Sequence, residues 1–163
     1  MIACSPRTLS GFAAALLLGA AALMPLAAPA ADTAEPVAAP TADPLAPARS
    51  HIQAGRWTAA IDALAKVNAS NSADWNNLMG YALRKQARPD LAGAQRHYDA
   101  ALRIDPGHRG ALEYSGELAL MKGDLPTAEA RLVTLERACG GPCEESDDLK
   151  KAIARYKANG NRY

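Results

Sequence analysis

The chain has 163 residues, with 18 Lys and Arg against 17 Asp and Glu and a formal net charge of +1. This length corresponds to one domain with room for a short additional segment. Near-neutral charge removes the main electrostatic basis for binding nucleic acid or an anionic membrane surface. Aromatic residues make up only 5% of the chain. A core must therefore be built mainly from Ala and Leu, which favours packed helices over sheets.

The first thirty residues have the pattern of an export signal. Arg7 is their only charged residue, and it precedes an apolar stretch at residues 12–24 and a small-residue site that ends at Ala30. This pattern predicts a secretory signal peptide, residues 1–30, that is cleaved after Ala30. The alternative is an uncleaved inner-membrane anchor formed by residues 11–31, although its prolines and many alanines make a poor spanning helix.

Residues 31–48 are rich in alanine and proline and contain no aromatic residue. Their prolines are Pro36, Pro40, Pro44 and Pro47. Such a segment cannot bury enough apolar area to offset the entropy of ordering it. We therefore expect a disordered linker at 31–48, then a folded domain at 49–158 and a short tail at 159–163.

The folded domain repeats a helix–turn–helix pattern. Between Arg109 and Cys139, small and apolar residues recur at spacings of three and four, which places them on one face of each of two helices. The run Lys122-Gly123-Asp124 separates the two helices, because glycine suits the end of the first and aspartate can cap the second. The block from Asp74 to Pro106 repeats the pattern, with Gly80 in the place of Gly116.

Incomplete units flank these two blocks. Upstream, residues 55–68 supply a second helix, and its partner within Leu45–Gln53 is expected to be half-formed because Pro47 interrupts it. Downstream, ESDDLKKAIARYK places Leu149, Ile153 and Tyr156 on one face of an amphipathic helix. That helix would close the open end of a stack of repeats.

This organisation resembles the tetratricopeptide repeat (TPR). The first full repeat carries the family's small and aromatic positions at Gly80, Ala94, Tyr98, Ala101, Leu102 and Pro106. The second carries them at Gly116, Ala119, Gly123, Leu125, Ala128, Leu132 and Leu135. The predicted fold class is therefore all-α, a short TPR helix–turn–helix solenoid with a C-terminal capping helix. Its units are a partial repeat at 49–72, repeats at 73–108 and 109–140, and the capping helix at 144–158.

More narrowly, the run from Trp75 to Leu132 and the following CGGPCEESDDLKKAIARY resemble small exported TPR proteins of Gram-negative bacteria. This resemblance implies a periplasmic protein with no enzymatic activity and no cofactor. It implies a protein or peptide partner, for which an envelope protein is one candidate, bound in a concave groove that the first helices of the repeats line. The groove positions carried over are Asn77, Tyr81, Arg84, Lys85, Glu113, Glu117, Leu120 and Met121. Alternatively, these residues are only the solvated faces of amphipathic helices.

Cys139 and Cys143 flank a Gly-Gly-Pro turn between the last repeat helix and the capping helix. Such a turn can bring the two Cα atoms within disulfide range, and an oxidising compartment would preserve the bond. We predict a structural disulfide. The alternative function is a thiol-redox accessory protein acting through this pair, although redox enzymes usually place two residues between the cysteines, beside a parallel sheet.

No pattern in the sequence indicates catalysis or a metal site. The three histidines, His51, His97 and His108, stand apart, and neither HExxH nor a glycine-rich phosphate loop is present. The acids at 144–148 suit the first turn of a helix, where they complement its dipole. Two and a half repeats are close to the minimum for a stable stack, so self-association of two chains is a further alternative.

Overall fold

The computed structural model describes residues 43–163 as α helices joined by turns. The helices in this range are α1 (Ala46–Gln53), α2 (Trp57–Val67), α3 (Ala73–Lys85), α4 (Leu91–Ile104), α5 (Arg109–Met121), α6 (Leu125–Cys139) and α7 (Glu144–Ala158). No β strand is found among the described residues. The predicted all-α class is confirmed.

Short polar side chains begin several of the helices. Side-chain oxygens of Ser72, Asp90 and Asp124 accept hydrogen bonds from backbone N–H groups in the first turns of α3, α4 and α6. These bonds satisfy donors that a helix leaves unpaired at its start. Gly123 adopts a φ of 81° between α5 and α6, a conformation that glycine reaches without strain. The roles predicted for Gly123 and Asp124 in this turn are confirmed.

The first helix differs from the expectation. α1 begins at Ala46, and Pro47 lies in its first turn, where the missing N–H removes no hydrogen bond. Pro47 therefore starts this helix and does not interrupt it, so the end of the predicted linker, residues 46–48, is helical. The physical reason is burial, because Leu45 and Ala48 are only 6% and 1% exposed and belong to the N-terminal core.

Consecutive helices pack side by side along the chain. α1 packs on α2, α3 on α4, and α5 on α6, while α2 contacts α3 and α4 contacts α5. The odd-numbered helices also contact one another, α1 with α3, α3 with α5, and α5 with α7. This packing is that of a short helical solenoid with α7 at its C-terminal end.

The buried side chains form three clusters along the stack. The N-terminal cluster comprises Leu45, Ala48, Leu64, Trp75, Leu78 and Met79. The middle cluster comprises Ala94, Tyr98 and Leu118. The C-terminal cluster comprises Leu112, Ala119, Leu120, Ala128, Leu135, Leu149, Ala152, Ile153 and Tyr156. Separate clusters are expected when each helix pair buries its apolar surface against its immediate neighbours.

Glycines mark two points where helices approach closely. A Cβ atom on Gly80 of α3 would lie 2.7 Å from the ring of Tyr98 on α4. A Cβ atom on Gly116 of α5 would lie 2.8 Å from the side chain of Leu149 on α7. The two glycines that the sequence places at equivalent repeat positions therefore accommodate a large side chain from a neighbouring helix.

The predicted signal peptide (1–30) and linker residues 31–42 lie outside the described residues. Within residues 43–163, none of the helices has the length and apolar character needed to cross a membrane.

Candidate functional site: the α3–α5–α7 face

A row of aromatic rings runs across one side of the stack. The indole of Trp57, at the start of α2, meets the ring of Tyr81 on α3 edge to face, with 5.8 Å between ring centroids. Tyr81 in turn lies 4.4 Å from Tyr114 on α5. All three side chains are half-buried. We call this surface, together with the charged side chains of α3, α5 and α7 described below, the α3–α5–α7 face.

Arg84 of α3 lies directly beneath this row and is only 5% exposed. Its Nη2 lies 2.6 Å from Oε2 of Glu117 on α5, so the two side chains form a largely buried ion pair. Its Cζ lies 5.6 Å from the ring centroids of both Tyr81 and Tyr114, within the range of cation–π attraction. The guanidinium therefore joins α3 to α5 and holds the two tyrosine rings in place.

A third tyrosine closes the base of this group. The hydroxyl of Tyr98, from α4, is buried beside Arg84 but makes no well-formed hydrogen bond within the described residues. Burial raises the pKa of Tyr98 well above its ordinary value of 10. The same effect of burial raises the pKa values of Tyr81 and Tyr114. These phenols are therefore neutral donors and aromatic surfaces at any physiological pH.

Glu113 is the second buried charge on this face. It lies one turn before Glu117 on α5 and is only 8% exposed, and within residues 43–163 it has no ion-pair partner. Burial, followed by the charges of Glu117, Asp148 and Glu145, raises the pKa of Glu113 from 4.5 to about 8, against the opposing effect of Arg84. An unpaired carboxyl group in such surroundings holds its proton at neutral pH.

A neutral amide is buried nearby. Asn77 of α3 is 8% exposed, and its Nδ2 would lie 2.9 Å from a Cβ atom on Gly110 of α5. Its Oδ1 is buried without a hydrogen-bond partner among the described residues. A cleft opens beside Gly110, and its walls include Asp74, His108 and Glu145.

The segment after α7 also reaches this face. Gly160 and Asn161 both adopt positive φ angles and reverse the chain, and the N–H of Asn161 donates to the carbonyl of Tyr156 at 2.9 Å. The side chain of Tyr163 then lies close to Arg84 and Glu117. It remains 58% exposed.

The structure brings together most of the groove residues predicted from the sequence. Asn77, Tyr81, Arg84, Glu113, Glu117 and Met121 lie on this face, where Met121 Sδ is 3.9 Å from Arg84 Nη1. Lys85 is exposed at the end of α3. The prediction for Leu120 is wrong, because it is 1% exposed and packs within the C-terminal cluster. Among the groove residues, the basic Arg84 pairs directly with the acidic Glu117.

Sequence reasoning did not predict four of the aromatic residues on this face. Trp57 and Tyr98 lie on second helices of the helix pairs, and Tyr114 sits one position after Glu113, towards α3. Tyr163 follows the last helix. Aromatic residues are scarce in this chain, and several of them lie together at this one surface. Their scarcity was the only signal that the sequence offered.

The predicted Cys139–Cys143 disulfide is present, with a Cα–Cα distance of 6.1 Å. Gly140 ends α6 with a φ of 65°, and Cys143 is the residue before α7 begins. The bond therefore ties the end of α6 to the start of α7. Glu145 is the third member of the only cluster of possible metal ligands found within residues 43–163, and its partners are these two bonded sulfurs.

Comparison of the chain with protein-family models, with curated proteins and with solved structures finds no match.

Proposed function

We propose that this chain is a non-enzymatic interaction module, built of TPR-like repeats, which binds a protein or peptide partner on the α3–α5–α7 face. The observation that carries the proposal is the row of half-buried rings, Trp57, Tyr81 and Tyr114, held in place by the buried Arg84–Glu117 pair. Tyr, Trp and Arg are the residues that most often dominate binding energy at protein interfaces.

Rigidity supports a binding role for this surface. Arg84 contacts both tyrosine rings and Glu117 at once, so the rings do not need to be ordered when a ligand arrives. Pre-ordering of this kind lowers the entropic cost of association. Tyrosine rings also combine apolar area with a hydroxyl group, which suits a peptide backbone and its side chains.

The compartment in this proposal is the periplasm, reached through cleavage of the signal peptide predicted at residues 1–30. An inner-membrane anchor at residues 11–31 would place the same domain on the same side of the membrane. Fractionation followed by N-terminal sequencing distinguishes the two, because a cleaved protein begins at Ala31 and an anchored one retains Met1.

Site-specific photo-cross-linking in intact cells tests the binding face. A benzoylphenylalanine at Lys85, which is exposed at the end of α3, should yield a discrete adduct that mass spectrometry identifies. The same residue at Val133, which is 47% exposed on α6, serves as the matched control and should yield none. Equal adducts at both positions, or none at position 85, would contradict the proposal.

A loss-of-binding variant completes the test. Tyr81→Ala combined with Lys85→Glu should abolish the adduct formed by a cross-linker at Met121, because it removes the central ring and reverses the charge at the edge. Helical circular dichroism should be retained, since neither change removes the Arg84–Glu117 pair.

One observation favours the alternative thiol-redox function. Cys143 precedes the first turn of α7, a position where a helix dipole can stabilise a thiolate. However, Glu144, Glu145 and Asp147 lie in that same turn, and their negative charges oppose a thiolate. A reduction potential below about −300 mV would mark a structural bond and exclude this function.

A further inference from the structure

Met79 and Met121 are the methionines within the described residues, and their surroundings differ. Met79 of α3 is only 7% exposed and packs within the N-terminal cluster. Met121, the last residue of α5, is half-buried on the α3–α5–α7 face. The cysteines of the same range, Cys139 and Cys143, are already joined in a disulfide. Among residues 43–163, Met121 therefore carries the reduced sulfur that a dissolved oxidant reaches most easily.

The neighbour of Met121 is a buried guanidinium that is short of strong acceptors. A guanidinium carries five N–H groups. In Arg84, which is 5% exposed, Nη2 forms the ion pair with Glu117, and Nε has no hydrogen-bond partner among the described residues. Nη1 faces Sδ of Met121 at 3.9 Å. A thioether sulfur is a weak acceptor, so a buried, charged donor points at a group that barely satisfies it.

Oxidation of Met121 supplies a stronger acceptor at this point. Hydrogen peroxide transfers one oxygen atom to a lone pair of Sδ, so that an S–O bond forms, the O–O bond breaks and the remaining oxygen leaves as water. The sulfur is oxidised and the peroxide is reduced. The product, methionine sulfoxide, is polar, and a hydrogen bond from a charged donor to its oxygen is stronger than one between neutral groups. The flexible methionine side chain can turn this oxygen towards Nη1.

We propose that Met121 is a reversible oxidation site for hydroperoxides, at which the sulfoxide oxygen accepts a hydrogen bond from Nη1 of Arg84. This inference goes beyond the proposed function, because it requires no bound partner. Oxidation of a methionine usually disrupts the apolar packing around it. Met121 differs because a buried donor already faces its sulfur, so the modification makes one edge of the face polar while the helices stay packed.

The first test compares the oxidation rates of the two methionines. The full chain is treated with hydrogen peroxide, digested with trypsin and measured by mass spectrometry, which reports Met79 in peptide 67–84 and Met121 in peptide 110–122. In the folded chain Met121 should react at least about tenfold faster, because reactivity follows exposure. In urea the two rates should be equal. Equal rates in the folded chain, or faster oxidation of Met79, would overturn the proposal.

The second test detects the hydrogen bond to Arg84. Met79→Leu, a volume-conserving change, leaves Met121 as the methionine that reacts within residues 43–163. Oxidation of this variant should move the Nη proton resonances of Arg84 downfield in NMR spectra and should not lower the urea midpoint. Methionine sulfoxide reductases should reverse the shift.

Two controls complete the second test. In Met121→Leu, peroxide should leave the Arg84 resonances unchanged. The parent chain, oxidised only until Met121 has reacted, gives the same measurement without a substitution. Unmoved Arg84 resonances after oxidation of Met121, or a fall in the urea midpoint, would show that the guanidinium does not bind the sulfoxide and would overturn the proposal. Neither result affects the cross-linking test at position 85, which uses the unoxidised chain.

Discussion

Two ionisable side chains, Arg84 and Glu113, are buried in the α3–α5–α7 face. Within residues 43–163, only Arg84 of the two has an ion-pair partner. Arg84 has Glu117 as its ion-pair partner, the rings of Tyr81 and Tyr114 together on one side, and a methionine sulfur beside it. Glu113, one turn from the anion that Arg84 uses, has three acids for neighbours and no ion-pair partner within residues 43–163. The two side chains are almost equally buried, so burial does not explain the difference.

The difference predicts opposite effects on stability when the charge is removed from Arg84 or from Glu113. Arg84 has an ion-pair partner and two aromatic neighbours within the described residues, so removing its side chain should damage the fold. Glu113 has no ion-pair partner within residues 43–163, so removing its charge should relieve the fold. Buried charges that are paired are costly to break, whereas an unpaired one is destabilising in itself. The following predictions test this contrast.

The largest effect is expected at Arg84. Arg84→Met should lower the free energy of unfolding by about 3–5 kcal/mol, because Glu117 would remain buried without its partner. Urea denaturation at pH 7, followed by circular dichroism, measures this change. Lys85→Met, at the exposed neighbouring position, should change stability by less than about 0.5 kcal/mol.

A double variant isolates the pair. Arg84→Met combined with Glu117→Gln should be more stable than Arg84→Met alone, because no unpaired carboxylate remains. A loss of less than about 1 kcal/mol in the single variant would show that the guanidinium does not organise this face.

Removal of the disulfide should have an intermediate effect. Replacing both Cys139 and Cys143 by Ser should cost about 2 kcal/mol, the value expected for closing so short a loop. Because Leu149 remains packed against Gly116, α7 should stay docked and the pKa of Glu113 should remain near 8. Denaturation with and without reductant measures the first quantity, and carbon-detected NMR the second. A fall of the Glu113 pKa to its ordinary value would show that the bond itself positions α7.

A smaller and pH-dependent effect is expected at Glu113. The folded-state pKa is raised from 4.5 to about 8, so the unfolded chain releases this proton first as the pH rises. The contribution of Glu113 to stability therefore becomes increasingly unfavourable between about pH 4.5 and 8. Glu113→Gln should match the parent near pH 4 and exceed its stability by about 1 kcal/mol at pH 9, since solvent screens part of the charge. Equal stability across this range would contradict the unpaired state of Glu113.

The smallest effect concerns a neighbour of Glu113. Lys151→Met removes the cation that lies 2.8 Å from Asp148, and this exposed pair should contribute no measurable stability. Asp148 then repels Glu113 more strongly, so the pKa of Glu113 should rise in an NMR titration. Lys150→Met, whose partner Glu136 lies on α6, should leave that pKa unchanged. A shift in both variants would indicate a general charge effect.

Helical periodicity was sufficient to predict the helix pairs and the turn at Gly123, because those features depend on local spacing and capping. It failed at Pro47, since the burial of Leu45 and Ala48 is a tertiary effect. Most of the groove positions predicted on α3 and α5 lie on the face. Leu120 was wrong because it packs inside the C-terminal cluster, which is a tertiary effect. The Arg84–Glu117 pair joins residues on different helices, and neither its distance nor the isolation of Glu113 can be read from one sequence.

The turn at Gly160 and Asn161 has a consequence for any ligand. It returns Tyr163 to the neighbourhood of Arg84 and Glu117, so on the proposed function a residue of the chain itself would compete with the partner for this surface. A tethered competitor acts at an effective concentration of roughly millimolar order, and it lowers the apparent affinity of every external peptide. On the proposed function, residues 159–163 would therefore raise the concentration at which any external peptide occupies the face.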